Sequence, residues 1–214
     1  MDVDRELPWI RPWFLRYQMS NGGLNCEGEA YLVKDEVPSS MVGTIAVFEA
    51  ILLHTPRPWT AEEEAFLDKG ARFLMERKLM LGSATKHDAD EQKSAKEWIE
   101  LCFPRFYFYD ILRGLNALLL WSEKTGRPVH WESIHEVVTL LDERFPNGQV
   151  RCERRSYEGT DTMIQSPTGE WLRRWQPATL FPLLVKTSMP GEVSPFLSRQ
   201  WAEARARLKK AVSC

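Results

Sequence analysis

Four polar residues recur at regular spacing along one predicted helix: Tyr107, Asp110, Arg113 and Asn116. They lie three residues apart, so they drift slowly around one face of a helix. Asp110 could act as an acid, and the Arg113 guanidinium, three residues on, could pair directly with its carboxylate. We interpret the two as a structural ion pair that ties the helix to the preceding loop. A catalytic acid at Asp110 is the alternative.

Aromatic and cationic side chains supply the other candidate ligand contacts. Tyr107 and Tyr109 belong to an aromatic run at 103–109, whose ring faces could stabilise a cation or could be part of the core. Arg174 could meet a phosphate or pair with an acidic loop residue. The predicted ligand-binding residues are Tyr107, Tyr109, Arg113, Asn116, Arg174 and Trp175.

The cysteines argue against a metal centre. They are far apart and include no CxxC pair, so neither a disulfide framework nor a zinc module is predicted. Cys26 is followed by Glu27 and Glu29, but no histidine lies at ligand spacing from any cysteine. We therefore predict no metal and no cofactor, with a reducing cytoplasm as the default compartment.

The composition excludes several classes of function. The formal net charge of −2 leaves nucleic-acid binding to a local basic patch. The nearest one contains Arg151, Arg154 and Arg155 but is interrupted by Glu153, so we interpret it as a solvated loop. The longest apolar stretches are shorter than a membrane span. The sequence thus predicts no nucleic-acid partner and no transmembrane segment.

Apolar periodicity predicts an all-α fold in which two kinds of helix alternate. An outer ring of half-exposed helices covering an inner ring would produce this alternation. No segment shows a strand-like alternation of useful length. The expected amphipathic helices are 12–18, 61–78 and 132–145, and the mostly apolar ones are 41–53, 106–121 and 171–186.

Capping signals mark two of the helix starts. Ser39 or Ser40 precedes the helix at 41–53, and Thr60 with Glu63 or Glu64 forms a capping-box pattern before 61–78. Long polar loops are expected at 81–97 and 147–170.

The helices group into three hairpins over residues 1–194, followed by an amphipathic helix at 195–214 that is expected to cap one end. Three hairpins in an arc leave apolar helix faces at both ends. Because exposed patches of that size usually find a partner, we expect either a homo-oligomer or a docked extra segment.

Three segments carry a family resemblance. Residues 14–24, FLRYQMSNGGL, and 69–78, KGARFLMERK, resemble the QW repeats of squalene and terpenoid cyclases and the related repeats of protein prenyltransferase β subunits. Residues 103–110, FPRFYFYD, are similar to small bacterial squalene-cyclase-like proteins of unassigned activity. The resemblance spans 13–185 as a pattern. It implies an α/α toroid-like array, here a partial ring of three hairpins, whose inner helices surround an apolar cavity.

The resemblance also implies catalytic motifs that the sequence mostly lacks. Hopene-class cyclases protonate an alkene with a D-x-D-D acid, and the nearest match is Asp88-Ala89-Asp90-Glu91. We interpret that segment as a solvated charged loop, because lysines surround it and a generating acid needs burial. The Asp, Cys and His zinc ligands of the prenyltransferases have no counterpart.

Two functional hypotheses follow. The favoured one is a binding module for an apolar or isoprenoid small molecule or for a protein. The alternative is an enzyme of terpenoid cyclisation or prenyl transfer, with Asp110 as its acid and the inner aromatic residues as cation stabilisers.

Overall fold

Helices form the framework of the molecule. The computed structural model describes residues 3–157, 159–177 and 179–213, and about half of the chain is α-helical. The helices are α1 Val3–Glu6, α2 Ile10–Arg16, α3 Met41–His54, α4 Ala61–Glu76, α5 Ala89–Ser94, α6 Ile111–Thr125, α7 Trp131–Arg144, α8 Pro182–Thr187 and α9 Pro195–Ala211.

Two small sheets accompany the helices in the described part of the chain. Strand β1, Val129–His130, pairs in parallel with β4, Val212–Ser213. Strand β2, Gly159–Gln165, pairs antiparallel with β3, Trp171–Pro177, in a regular hairpin.

The helix starts predicted from capping signals are confirmed. The Ser40 hydroxyl accepts a hydrogen bond from the Gly43 N–H at 2.8 Å and begins α3. Thr60 and Glu63 form a reciprocal capping box at the start of α4. Such caps satisfy N–H groups that have no partner inside the helix, so they are encoded locally and can be read from sequence.

The core lies around α6, which contacts α3, α4, α7 and α9. Only Glu123 and Lys124 of α6 are exposed, and only Ala46, Leu53 and His54 of α3. Helix α7 buries the predicted stripe of Ile134, Val137, Val138 and Leu141. The buried residues of α9, Leu197, Trp201 and Ala204, join the same hydrophobic cluster as those of α3, α4 and α6.

The Gly-Gly turn after α2 joins two of the amphipathic helices. Gln18 Nε2 donates to the carbonyl oxygens of Gly22 and of Phe66 in α4, both at 2.9 Å. Gly22 has φ +91°, and a Cβ there would lie 2.6 Å from the carbonyl carbon of Lys69. This close approach, together with the left-handed backbone, requires glycine.

The prediction of a third mostly apolar helix at 171–186 is wrong, and so is the absence of strands. Strand β3 occupies Trp171–Pro177 and is largely exposed, and α8 forms only at Pro182–Thr187. Two physical reasons account for this. Pro177 and Pro182 cannot donate the hydrogen bonds of a helix interior. In addition, Gly169, with φ +87°, allows the tight turn that pairs the segment with β2.

Two further element boundaries differ from prediction. Helix α6 begins at Ile111 instead of 106, because Asp110 is its N-cap, and Phe106, Tyr107 and Phe108 are exposed ahead of it. The loop predicted at 81–97 contains α5. Within the described residues, every helix is too short or too polar to cross a membrane.

Candidate functional site

Asp110 lies at the centre of a fully buried ion pair. Its Oδ2 accepts from Arg105 Nε at 2.5 Å and its Oδ1 from Arg105 Nη2 at 2.9 Å. Oδ1 also accepts from the backbone N–H of Arg113, again at 2.9 Å, which caps α6. Both carboxylate oxygens are therefore engaged, and the side chain is 0% exposed.

The predicted side-chain pair between Asp110 and Arg113 is wrong. An N-cap carboxylate faces the backbone N–H groups of the first turn, so Asp110 contacts only the main chain of Arg113. The Arg113 guanidinium instead reaches across to α3 and donates to Glu49 Oε2 at 2.6 and 2.9 Å. Asn116 donates to Leu112 O within its own helix. Tyr107, Asp110, Arg113 and Asn116 thus do not converge.

The two tyrosines of the aromatic run have different surroundings. Tyr109 is fully buried, donates to Leu79 O at 2.7 Å and packs edge-on against Trp98. Burial raises its pKa well above the ordinary value. Tyr107 is half exposed, and its hydroxyl lies 2.7 Å from the Cys26 thiol. Burial, and then the contact with Cys26, raise the pKa of Tyr107.

Arg174 and Trp175 lie on the β2–β3 hairpin, opposite Thr162 and Asp161 in the strand register. Both are exposed. The seven site residues predicted from sequence are therefore dispersed. Asp110 lies in the buried ion pair, Arg113 in the pair with Glu49, and Asn116 bonds within α6. Tyr109 is packed in the core, Tyr107 contacts Cys26, and the last two, Arg174 and Trp175, lie on the exposed hairpin.

An open apolar groove, which the sequence did not reveal, lies beside the buried ion pair. Its volume is about 1240 Å³. We call this feature the apolar groove, and its lining residues are Phe103, Leu180, Phe181, Pro182, Leu183, Val185, Lys186, Thr187, Met189, Glu192, Val193, Ser194, Pro195, Phe196 and Arg199.

Short, rigid connections hold the walls of the apolar groove. Pro182 stands in the first turn of α8, and the buried Ser188 hydroxyl donates to Leu184 O at 2.7 Å to end it. The Cys152 N–H donates to Glu192 O at 3.0 Å, and the Gly191 N–H donates to Cys152 O at 2.7 Å. These backbone bonds fix the segment between α8 and α9 against residues 150–152.

A smaller cavity of about 440 Å³ adjoins the groove. The stacked rings of Phe103 and Phe196, 4.4 Å apart, line both. The polar lining of the small cavity includes Glu49, Arg105 and Arg113. The ion pairs of α3 and α6 therefore approach one end of an otherwise apolar surface.

The carboxylates of the predicted D-x-D-D-like segment are not uniformly solvated, so the interpretation of this segment as a solvated loop is wrong for Glu91. Its Oε1 accepts from the Met41 N–H at 2.6 Å and its Oε2 from the Ser83 N–H at 2.8 Å. Burial raises the pKa of Glu91 and of Asp88, whereas exposed Asp90 has its pKa lowered by Lys93. Glu91 ties residue 83 to the start of α3.

The raised pKa of Glu91 predicts a specific pH dependence of stability. The folded chain holds this proton more tightly than the unfolded chain does. The contribution of Glu91 to the free energy of unfolding is therefore greatest below the ordinary pKa of 4.5 and is lost as pH rises through the raised value. We expect the stability difference between wild type and Glu91→Gln, measured by urea unfolding across pH, to fall over that window.

Glu136→Gln is the control of opposite sign. A hydrogen bond from Lys78 lowers the pKa of Glu136, so its contribution is present above the ordinary pKa and is lost as pH falls. A flat difference curve for Glu91→Gln, or one that rises with pH as the Glu136 curve does, would contradict the assignment.

The two buried cysteines, Cys102 and Cys152, are structural in character. Burial, followed by the charge of Asp110, raises the pKa of Cys102 to about 11, and burial also raises that of Cys152. Thiols of this kind are poor nucleophiles at neutral pH. Over the ranges that the structure describes, no three His, Cys, Asp or Glu side chains are grouped so that they could hold a metal ion.

No family model matches this chain, and no curated protein or solved structure shows significant similarity to it, so its function has to be argued from the geometry.

Proposed function

We propose that this chain is a binding module that holds an apolar partner, either an isoprenoid-type ligand or an apolar segment of another protein, in the apolar groove. The observation that carries the proposal is the groove itself. Leu180, Phe181 and Leu183 are more than half exposed along one wall of a concave surface of about 1240 Å³. A concave apolar surface of this size is typical of a binding site.

The placement of Asp110 supports binding over catalysis. An acid that protonates an alkene must reach its substrate and hold a transferable proton. Asp110 is fully buried, both of its oxygens accept hydrogen bonds, and it does not line either cavity. It is better suited to positioning Arg105 and the start of α6 than to proton transfer.

We also propose that the helical framework is part of an α/α toroid-like array. Helices α3 and α6 are the covered members, and α2, α4 and α7 carry exposed faces. Gln18 and the Gly22 turn join α2 to α4, which is consistent with repeated hairpins. The resemblance to cyclase and prenyltransferase repeats favours an isoprenoid as the small-molecule ligand.

A neutral fluorescent dye tests the groove directly. We expect Nile red to bind the wild-type protein with enhanced emission, because the dye leaves water for an apolar surface. Leu183→Ser should weaken this binding about threefold to tenfold, which corresponds to the loss of one partly buried contact. The measurement is a fluorescence titration, with far-ultraviolet circular dichroism to check folding.

Leu32→Ser is the matched control. Leu32 is 76% exposed and Leu183 is 65% exposed, and Leu32 does not line the apolar groove. Equal effects of the two variants would overturn the proposal. A different result would favour the enzyme instead. In that case the wild type would convert squalene or a prenyl diphosphate, and Asp110→Asn would lose this activity at unchanged melting temperature.

A further inference from the structure

The rim of the apolar groove carries an excess of unpaired positive charge. Lys186 and Arg199 line the groove, and neither forms an ion pair among the described residues. The Arg199 guanidinium lies over the Phe196 ring, 5.9 Å from its centroid. Glu192 is the one carboxylate among the described lining residues.

Two more cations adjoin the same rim. Arg155 Nη2 lies 3.9 Å from the sulfur of Met189, and Arg151 Nη1 donates to Gly191 O at 2.7 Å. These contacts place the guanidinium groups beside the groove, and in the described residues neither has a carboxylate partner. Among the described residues, two cations and one carboxylate therefore line the groove and two further cations adjoin it, on a chain whose overall charge is −2.

The shape of the groove favours a polypeptide over a small molecule. A small-molecule pocket usually has a volume of about 300–1,000 Å³ and buries about 70–90% of its ligand. This groove is larger and open, and the side chains of its α8 wall are mostly exposed. A helix that lays one apolar face into a groove, with its polar margins at the rim, fits such a surface.

We propose that the apolar groove binds an amphipathic helix of a partner protein, and that acidic residues on the margins of that helix pair with Lys186, Arg199, Arg151 and Arg155. This inference rests on the proposed function and specifies the chemistry of the partner. Apolar contacts supply the affinity, and the basic rim supplies the orientation and the preference for acidic sequences.

Three labelled model peptides test the proposal. All have leucine at i, i+3, i+4 and i+7, and their remaining positions are glutamate, glutamine or lysine in turn. In fluorescence anisotropy, the glutamate peptide should bind the wild type most tightly, and raising the salt concentration should weaken it. The double variant Lys186→Glu with Arg199→Glu should raise its Kd about tenfold and should improve binding of the lysine peptide.

The matched control is Lys96→Glu with Arg72→Glu. Both residues are exposed, neither lines the groove, and the double variant has the same net charge. It should leave the Kd of the glutamate peptide within about twofold of wild type. Equal weakening in the two double variants would mean that overall charge, and not the rim, selects the peptide.

The remaining outcomes separate this inference from the proposed function. If the three peptides bind equally well, the acidic preference is wrong but the apolar groove stands. If Nile red and hexadecanoic acid bind while no peptide does, the groove belongs to a small amphiphile and the helix proposal falls. If neither dye nor peptide depends on Leu183, both the inference and the proposed function are overturned.

Discussion

Replacing Asp110 by Asn is expected to lower the free energy of unfolding by about 3 kcal/mol, because it leaves the buried Arg105 guanidinium without its counter-charge. Arg105 is almost fully buried, and its other side-chain partner is the neutral oxygen of Gln200, at 2.7 Å. Asn preserves the shape of the side chain and its ability to cap α6. The loss of stability therefore reports the removal of the Asp110 charge and not a change in shape. Urea unfolding should show it, with a melting temperature lower by about 10 °C.

Asp90→Asn is the control for this substitution. It makes the same chemical change in an ion pair with Lys93, where the Asp90 side chain is 92% exposed. The melting temperature should not change measurably, because exposed ion pairs are weak. The double variant Arg105→Met with Asp110→Asn should be less destabilised than the two single variants together, because it removes both charges. A wild-type melting temperature for Asp110→Asn would refute this account of the site.

Gly22→Ala is expected to lower the free energy of unfolding by a comparable amount, about 3 kcal/mol or more. The added Cβ would overlap the backbone carbonyl of Lys69 in α4, which cannot move aside as a flexible side chain could. The left-handed backbone at Gly22 adds a conformational cost for any residue with a Cβ. The same displacement should disrupt the two hydrogen bonds that Gln18 donates, to Gly22 O in the turn and to Phe66 O in α4.

Substitutions at two other glycines separate the cost of the overlap with α4 from the cost of the left-handed backbone. Gly148→Ala has the left-handed conformation, φ +73°, with nothing within 4 Å of the new Cβ, so it reports the backbone cost alone. Gly28→Ala has neither the strain nor a close neighbour and should match or slightly exceed wild-type stability. Chemical unfolding of the three variants should rank Gly22 as most damaged, then Gly148, then Gly28. An equal loss at Gly22 and Gly148 would refute the close approach to α4.

The parts of the structure that sequence predicted are those set by near neighbours. The caps at Ser40 and Thr60 depend on residues three positions away, and the buried stripe of α7 depends on helical periodicity alone. The partner of Arg113 could not be found in that way. It is Glu49, which is remote in sequence and is brought close only by the packing of α6 against α3.

The apolar groove escaped prediction for a different reason. An apolar run such as Leu180 to Val185 is compatible with a buried helix and with an uncovered surface, because composition does not say what packs over it. The hairpin was missed because Trp171, Arg173 and Trp175 alternate with residues of mixed polarity, and this gives no clear strand period. For the apolar run, only the absence of a covering element in the described structure distinguishes an uncovered surface from a buried helix.

The β2–β3 hairpin also determines what an unfolding experiment on this protein would report. None of its described side chains belongs to the hydrophobic cluster around α6, so its stability comes mainly from its own backbone ladder. A two-stranded ribbon without such packing is marginally stable in water and can open locally while the rest of the molecule remains native. We therefore expect the hairpin to open before the helical framework, so that the free energy measured by global unfolding describes the helices.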